Sequence, residues 1–489
     1  MSLLVIAPIL FPLLAALGYA VFGWRAVTAW LGAGAAAGSL GCAVALAVAT
    51  TAQPRTALSG LLRADALSAF MLIVIGVVAL LAALAGPAYM AAELAAGRTG
   101  PRATRRYGIL TQAFVAAMAV AVLAASLGVL WVAVEATTIL TAFLVGHRRT
   151  RQAVEAAWKY VVICSVGITL ALLGVVLTHY AALRAGVPAA GALDWAVLSG
   201  DAAGLDPGVM RTAVVLLVLG FGTKAGLAPM HAWLPDAYGQ TPAPVSALMS
   251  GVLLSVAFYA ILRVKVIADV ALGAGFTRTL LIIAALASLS VSAALLLAQR
   301  DYIRMIAYSS IEHMGLVALG AAIGSRLAMA AVLLHILGHG LGKSVLFLSS
   351  GHIRQAFGSS RIAAVGGLAS RAPLLAGAFG LGLLALTGMP PFSLFASELG
   401  IARAGFTAGF GWAVAAALAL TLVIGAGVLS GGRRMLLGAP PPGGAAIRLT
   451  RASAVPLIAG LVACAVLGVA AGPMRPLLEA AATMAGATP

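Results

Sequence analysis

Charge is scarce in this sequence, and its scarcity excludes a soluble fold. Only 9% of the 489 residues are charged and 62% are hydrophobic, whereas roughly 25% of the residues of a typical soluble domain are charged. No long polar stretch remains that could form a second, water-soluble domain. The medium that surrounds most of this chain is therefore predicted to be lipid.

Cysteine is nearly absent as well. The three cysteines, Cys42, Cys164 and Cys464, lie far apart in apolar segments, so the sequence has no Cys-x-x-Cys, haem or iron–sulfur spacing. We therefore expect the chain to bind no redox cofactor and to move no electrons itself.

Acidic residues are outnumbered, which leaves a net charge of +17. In a soluble protein this excess would point to nucleic acid as a partner. Here the basic residues lie in short loops between apolar segments, as they do in membrane proteins. The sequence thus predicts the lipid bilayer as a partner and gives no support to nucleic acid.

Apolar runs make up most of the sequence. A helix needs about 20 apolar residues to cross the hydrocarbon core. The first run has neither the basic n-region nor the cleavage site of a signal peptide, so we expect it to remain as a membrane helix. An all-α polytopic membrane protein with about 14 transmembrane helices is predicted from the runs at 2–22, 27–49, 65–87, 108–124, 126–146, 157–179, 209–233, 243–268, 277–298, 303–323, 327–350, 372–403, 409–430 and 452–472.

The basic residues between the runs predict the orientation of the chain. If the N-terminus lies outside and the runs alternate, the inner loops hold 17 basic residues, including those at 98–106 and Arg448. The outer loops then hold 10, including Arg263 and Lys265. Lys159, Lys224 and Lys343 lie within the runs and belong to neither set. Because basic loops stay in the cytoplasm, we expect both termini outside a bacterial or archaeal cytoplasmic membrane.

Two runs contain sequences that interrupt helices. The seventh run contains GLAP at 226–229, and the twelfth contains TGMPP at 387–391. Each is the fourth run in a block of five, runs 4–8 and 9–13, and interrupted helices at matching positions are typical of inverted repeats with the functional site at the breaks. Membrane helices also tolerate proline and glycine without such a role. The predicted division is a three-helix segment at 1–107, inverted repeats at 108–268 and 277–430, and a C-terminal loop and last helix at 431–489.

Two charged residues of the first block lie within apolar runs, where lipid normally excludes charge. Glu135 lies near the middle of the fifth run, and Lys224 lies in the seventh, five residues before Pro229. A buried charge is costly unless a partner or water compensates it, so it marks a functional site by default. Burial favours a neutral lysine and a nearby carboxylate favours a charged one, so a lysine under both influences can gain and lose a proton. The alternatives are a structural ion pair and a lysine that reaches the interface.

The eleventh run carries three polar residues on one face. His335, His339 and Lys343 follow at four-residue steps, which places them about 6 Å apart along a helix axis. Two histidines four residues apart can also bind zinc. No glutamate adjoins the first histidine and no other ligand cluster is evident, so we expect no metal. A proton wire or a hydrated polar track fits the pattern better.

Further ionisable residues are candidates for a proton path. Glu398 follows the second interruption by seven residues and so repeats the pairing of a break with a charge. Glu312 and His313 add an acid and a base to the tenth run, where a structural role at the interface is the alternative. His231, just beyond the first interruption, is either a proton relay or a satisfied polar residue. Lys159, near the inner end of the sixth run, is expected to extend to the interface.

Several motifs resemble one family of membrane proteins. Residues 222–237, GTKAGLAPMHAWLPDA, continued by TPAPVSA at 241–247, are similar to the signature of the antiporter-like proton-pumping subunits. These occur in respiratory complex I, multi-subunit cation/proton antiporters and group 4 nickel–iron hydrogenases. DYIRMIAYSS at 301–310, EHMG at 312–315 and VEATT at 134–138 resemble the component F type of hydrogenase-4 or formate hydrogenlyase. The resemblance covers all fourteen runs.

The resemblance implies roles for the buried charges. Glu135 and Lys224 would form the acid–lysine pair of a first half-channel. His335, His339 and Lys343 would be the polar residues of the eleventh helix, and Glu398 would lie at the exit of a second half-channel.

The sequence also departs from the family pattern at two positions. Many members have a lysine where this chain has Ser255, so the link between the half-channels would depend on water. Many also have a lysine where this chain has Ile303. Both departures weaken the expectation of efficient pumping.

The implied function is proton translocation by one membrane-arm subunit of a redox-driven complex, hydrogenase-4-like or complex I-like. Its partners would be other membrane subunits and a peripheral redox arm, and the redox reaction itself would take place outside this chain. A cation/proton antiporter or an ion-driven bicarbonate-uptake subunit on the same scaffold is the first alternative. A non-conducting structural subunit is the second, and the full set of buried charges argues against it.

Overall fold

The computed structural model describes residues 2–50, 53–439 and 449–488. A short hairpin of β1 (Arg55–Ala57) and β2 (Leu62–Ala64) precedes the third helix. Twenty α-helices follow one another along the described part of the chain: α1 (Ser2–Phe22), α2 (Leu31–Ala49), α3 (Ala66–Ala95), α4 (Pro101–Leu123), α5 (Leu127–Val145), α6 (Arg151–Arg184), α7 (Trp195–Gly200), α8 (Pro207–Ala225), α9 (Trp233–Gln240), α10 (Ala243–Leu248), α11 (Leu254–Leu272), α12 (Ala274–Leu297), α13 (Tyr302–Ile323), α14 (Arg326–Phe357), α15 (Leu368–Arg371), α16 (Pro373–Leu386), α17 (Ser393–Thr407), α18 (Gly411–Leu437), α19 (Arg451–Val469) and α20 (Arg475–Met484).

The predicted all-α, polytopic architecture is confirmed. Thirteen spans in the described residues are long and apolar enough to cross a membrane, with α10 and α11 counted together as one. The twelfth predicted run, 372–403, is two shorter helices, α16 of 14 residues and α17 of 15. The fourteen predicted crossings therefore correspond to the thirteen spans and this interrupted pair.

Both predicted interruptions are present. Helix α8 ends at Ala225, and Gly226 follows with φ 77°, the left-handed conformation that ends helices and favours glycine. Helix α9 begins only at Trp233. The second interruption separates α16 from α17 and places Gly388 at φ 63°. The inverted relation between the two blocks stays a prediction.

The eighth span contains a feature that the hydrophobic pattern does not indicate. A π-helical turn, Met249–Leu253, joins α10 to α11. Such turns occur often at functional sites. All five of its residues are buried, so the turn lies inside the helix bundle and away from lipid.

Burial separates a central set of helices from an outer set. The spanning segments of α11, α13 and α14 are completely buried, whereas less than half of α18 and of α19 is buried. Lipid-facing helices need apolar surfaces, and only the central ones can hold many polar groups away from hydrocarbon. The central helices are therefore where ionisable groups can be held.

The predicted basic loop at 98–106 is too long. Helix α4 begins at Pro101, so Arg102, Arg105 and Arg106 already lie within it. Proline is favoured at the first position of a helix, where its missing N–H is not needed. Arg448, which was counted with the inner loops, lies outside the described residues.

Two basic residues assigned to an outer loop are instead buried in α11. Arg263 and Lys265 are 1% and 4% exposed. Each has an acidic partner, Asp65 at 2.7 Å and Asp269 at 2.5 Å respectively. A buried charge is tolerated when it is paired, and the sequence pattern did not reveal these partners. The orientation of the termini stays a prediction.

Candidate functional site

Lys224 occupies the last turn of α8, directly before the first interruption, and is 2% exposed. Its ammonium group donates a hydrogen bond to the Thr138 hydroxyl of α5 at 2.9 Å and another to the Tyr160 hydroxyl of α6. The Tyr160 hydroxyl lies 2.6 Å from the hydroxyl of Thr141. The buried lysine is therefore held by hydroxyl groups on two other helices.

Glu135 lies one turn before Thr138 on α5, so the two side chains share a helix face. Its charge interacts with that of Lys224, but no ion pair within 4.0 Å joins these two described residues. One carboxylate oxygen of Glu135 is buried without a hydrogen-bond partner. The acid and the lysine are thus neighbours that do not touch, with the Thr138 hydroxyl bound to the lysine.

A second lysine lies in a similar environment in the other block. Lys343 of α14 is completely buried and donates hydrogen bonds to the Ser309 hydroxyl at 2.6 Å and to the Ile306 carbonyl oxygen at 2.7 Å, both on α13. Glu312 lies one turn beyond Ser309, is 4% exposed and interacts electrostatically with Lys343 and with Glu398. Glu312 is therefore held inside the helix bundle beside charged groups, and its structural role at the interface stays an alternative.

Three histidines lie together beside Lys343. The Nδ1 atom of His313 is 3.1 Å from Nε2 of His335, and Nδ1 of His335 is 3.0 Å from the hydroxyl of Ser397 on α17. The rings of His313 and His339 have centroids 5.2 Å apart. The Nε2 atoms of His313 and His339 are buried without hydrogen-bond partners. Two predicted members of the site, His335 and His339, are thus joined by His313.

A metal ion is one alternative occupant of this cluster. The ligand atoms of His313, His335 and Glu398 lie within 4.8 Å of one another. Both nitrogens of His335 are already engaged in hydrogen bonds, and a metal would have to displace one of them. The existing bonds form a chain of groups that can each hold or pass a proton, so the geometry fits a proton relay better.

The second interruption brings Gly388 against Glu398. A β-carbon at Gly388 would force the Glu398 carboxylate to shift, and the left-handed backbone at this position favours glycine. Beside Glu398 is a cavity of about 20 Å³ that is also lined by Thr421. The Thr421 hydroxyl is buried without a partner, and a cavity of this size has room for about one water molecule. A water there would have two polar partners.

The region between the two lysines contains hydroxyl groups. Ser255, predicted to lie on the link, is completely buried and its hydroxyl has no partner. Instead, Ser250 of the π-helical turn lies 2.9 Å from Ser310 of α13, oxygen to oxygen. Ser310 follows Ser309 in the sequence, and the Ser309 hydroxyl accepts a hydrogen bond from Lys343.

Aromatic side chains lie between this region and the hydroxyl groups that hold the first lysine. Tyr238 of α9 lies near Ser250, but its hydroxyl completes no hydrogen bond. The ring of Trp233 lies between Tyr238 and Tyr160, with centroid distances of 6.1 Å and 4.9 Å. The hydrophobic pattern does not single out these hydroxyl groups, because uncharged polar residues are common in apolar runs.

Two predicted residues lie apart from the central groups. His231 is in the first interruption, half-buried, with an unpartnered Nδ1 atom, and borders an apolar groove against α12. Lys159 is 48% exposed and pairs with Glu155 at 2.7 Å and with Asp236 at 3.3 Å. Lys159 therefore lies on the surface of the chain, and its extension to the membrane interface stays a prediction.

Comparison with known proteins provides independent information on this arrangement. Residues 124–424 match the family described as NADH:quinone oxidoreductase/Mrp antiporter, transmembrane. The chain is 36% identical to the hydrogenase-4 component F homologue of Methylacidiphilum infernorum over 365 residues, which cover 75% of this chain and 77% of that one.

Two solved structures have the same fold. A chain of the membrane-bound sulfane sulfur reductase, an archaeal respiratory membrane complex, has a TM-score of 0.87 at 24% identity, with 99% of this chain and 97% of that chain covered. A chain of the Mrp complex of Dietzia sp. DQ12-45-1b has a TM-score of 0.84 at 23% identity, with 99% and 98% covered.

Proposed function

The chain belongs to the NADH:quinone oxidoreductase/Mrp antiporter transmembrane family, and from this premise we propose that it moves protons across the membrane as one subunit of a larger complex. One observation carries the proposal. Two buried lysines, Lys224 and Lys343, each donate hydrogen bonds to hydroxyl groups and each have an acid nearby that they do not touch. Such groups are costly inside a membrane and are expected there only where they have a function.

The proposed path begins at Glu135 and Lys224. Tyr160 accepts a hydrogen bond from Lys224, and the Tyr238 hydroxyl lies beyond Trp233 on the way to the second block. The hydrogen-bonded pair Ser250–Ser310 then leads to Ser309 and Lys343. The unpartnered oxygens along this line are places where bridging water would complete hydrogen bonds.

The path ends at Glu398. Glu312 and the three histidines lie between Lys343 and this acid, and the His313–His335–Ser397 chain gives consecutive hydrogen-bonding groups. Histidine can both accept and donate a proton near neutral pH. The second interruption places Glu398 beside the small cavity that Thr421 borders.

Electrostatic coupling along this path is energetically sufficient. Moving one elementary charge across the membrane requires about 2.3 kcal/mol per 100 mV. A change of charge near one buried group alters the proton affinity of the next, and a shift of one and a half to two pK units, roughly, supplies the same free energy. We propose that a redox reaction in a peripheral partner supplies that change at Glu135, and that this chain binds no redox cofactor itself.

The proposed half-channels follow the predicted inverted repeats at 108–268 and 277–430. The two interruptions and the two hydroxyl-bound lysines support this division. A cation/proton antiporter on the same fold is the main alternative. Proton uptake that requires sodium would favour it.

The proposal is tested with the assembled complex in closed vesicles. Lys224→Ala should abolish most proton uptake while the complex still assembles. Lys159→Ala is the matched control, because Lys159 is half exposed and lies away from the central groups. Full uptake by a well-assembled Lys224→Ala complex would favour a structural role for this chain. Iron–sulfur, flavin or haem absorption from the isolated chain would contradict the absence of a cofactor.

A further inference from the structure

Arginine side chains line a pocket at one end of the helix bundle. The pocket has a volume of about 940 Å³ and lies where α12 leads into α13, beside the loop before α15 and the end of α18. Its basic lining residues are Arg300, Arg304, Arg361 and Arg434. All four are exposed, so a ligand can reach them without unfolding of the bundle.

One acid, Asp301, lines the pocket together with the four arginines, so its charge offsets only part of theirs. The carboxylate of Asp301 accepts hydrogen bonds from the backbone N–H groups of Ile303 and Arg304 at 2.9 and 3.0 Å, and from the Ser360 hydroxyl. The Arg304 side chain forms an ion pair with Asp236. Asp301 is therefore occupied in capping α13 and holding the neighbouring loop.

The other three arginines lack anionic partners within the described residues. No ion pair of Arg300, Arg361 or Arg434 is formed there. Three guanidinium groups without an ion pair thus share one concave surface, which keeps an excess of positive charge. Like charges repel when brought together, so an anion bound in the pocket would relieve that repulsion.

Lipid-facing surface adjoins the arginines. Leu297, at the end of α12, is 61% exposed, and Leu437, at the end of α18, is 74% exposed. The two helices pack closely, since a β-carbon at Gly427 of α18 would run into Leu296 of α12. The pocket therefore lies where two packed, lipid-facing helices reach the interface, with apolar surface on one side and arginines on the other.

We infer that this pocket binds the phosphate group of an anionic phospholipid. Guanidinium groups match phosphate oxygens in planar, two-point hydrogen bonds. Basic pockets between membrane helices recognise anionic headgroups in this way. The acyl chains lie along the exposed leucines of α12 and α18. A zwitterionic lipid is disfavoured because its ammonium group would face three arginines. This inference does not depend on the proposed proton path.

The test uses the full chain in its complex and native mass spectrometry with defined lipids. The protein is offered phosphatidylglycerol and phosphatidylcholine in equal amounts, and the retained lipid is counted. The test variant is Arg300→Gln, Arg361→Gln and Arg434→Gln together. Each basic residue near an anionic headgroup contributes about 1 kcal/mol, which is roughly a fivefold effect on affinity. We therefore expect the preference for phosphatidylglycerol to fall more than tenfold.

A matched control carries the same loss of charge elsewhere. Arg25→Gln, Arg102→Gln and Arg151→Gln also replace three exposed arginines and should leave lipid retention unchanged. A second variant, Arg300→Lys, Arg361→Lys and Arg434→Lys together, keeps the charge but lacks the planar guanidinium group, and should retain an intermediate preference for phosphatidylglycerol. An equal loss in the control, or no lipid preference in the wild type, overturns the inference. So does displacement by millimolar inorganic phosphate with no lipid retained, since that result indicates a site for free anions.

Discussion

The Lys224 ammonium donates a hydrogen bond to the Thr138 hydroxyl at 2.9 Å, and this contact joins the last turn of α8 to the middle of α5. Thr138 lies on the same helix face as Glu135. The charge of Glu135 interacts with that of Lys224, although the two side chains do not form an ion pair. A neutral hydroxyl thus holds the lysine near an acid. Because both groups remain free of a direct ion pair, either can change its protonation without breaking one.

Replacement of Thr138 tests this contact. Thr138→Val keeps the shape of the side chain and removes the oxygen that accepts the lysine hydrogen bond. A hydrogen bond to a charged group contributes about 1.5–3 kcal/mol, so we expect proton uptake by vesicles to fall roughly tenfold or more. Thr138→Ser restores the oxygen and should stay near the wild-type rate. Equal rates for valine and serine would show that the hydroxyl plays no part.

Glu135 and Lys224 should behave as one unit in function. Glu135→Gln leaves the lysine without a compensating negative charge. Lys224→Ala leaves the acid without a compensating positive charge. Each change should impair uptake, and the double variant should be little worse than the worse single one, as for residues that serve one step. The measurement is uptake normalised to subunit content. Losses that multiply in the double variant would mean that the two residues act independently.

The hydroxyl pair Ser250–Ser310 should matter more than Ser255. Ser250→Ala or Ser310→Ala removes one partner of a buried hydrogen bond, and we expect uptake to decline severalfold. Ser255→Ala removes a hydroxyl that has no partner and should have little effect. Thr178→Ala is the control, because Thr178 is buried and its hydroxyl donates a hydrogen bond to the Gly174 carbonyl within α6. A larger loss of uptake in Ser255→Ala than in Ser250→Ala would instead place the link between the half-channels at Ser255.

Gly388→Ala should impair proton release through Glu398. The added methyl group would collide with the carboxylate, and a left-handed conformation costs a non-glycine residue roughly 1–2 kcal/mol. Gly377→Ala in α16 is the matched control, since a β-carbon there meets no neighbouring atom. Uptake and thermal stability of both variants are measured together. Unchanged uptake in Gly388→Ala would remove Glu398 from the path or show that it can move aside.

The orientation of the chain is open to chemical labelling. We expect a cysteine introduced at Asp201 to react with a membrane-impermeant maleimide added outside the cell, and one at Arg102 to react only after lysis. The native cysteines Cys42, Cys164 and Cys464 are first replaced by serine or alanine. Since the expectation rests on the distribution of basic residues, the reverse labelling pattern would invert the proposed topology.

Charged residues could be identified from the sequence because membranes exclude them. Lys224, Lys343 and Glu398 each interrupt apolar surroundings, and the structure places all three near other polar groups. The side chains that hold them could not be identified. Thr138 and Ser309 are uncharged, and a hydroxyl group in a helix can equally satisfy itself on its own backbone.

Contacts between helices that lie far apart in the sequence could not be predicted either. The His313–His335 bond depends on how α13 and α14 are rotated against each other, which sequence spacing does not determine. The distribution of basic residues assigns Arg263 to an outer loop. Its partner Asp65 lies 198 positions away, so sequence spacing does not reveal the pair. Positions of helices and interruptions depend on local pattern, and these were predicted well. Pairing across the bundle depends on packing.

The buried pair of Asp65 and Arg263 limits how this protein can be shortened. Asp65 caps α3 through Ser68, and its carboxylate holds the Arg263 side chain of α11. Burial raises the pKa of Asp65, but the Arg263 guanidinium and the hydrogen bonds from Ser68 together outweigh burial and hold that pKa below its usual range. Removing one member of such a pair costs about 3–5 kcal/mol. A minimal version that begins at α4 therefore requires a neutral residue at position 263, and the first three helices cannot be exchanged as an independent module.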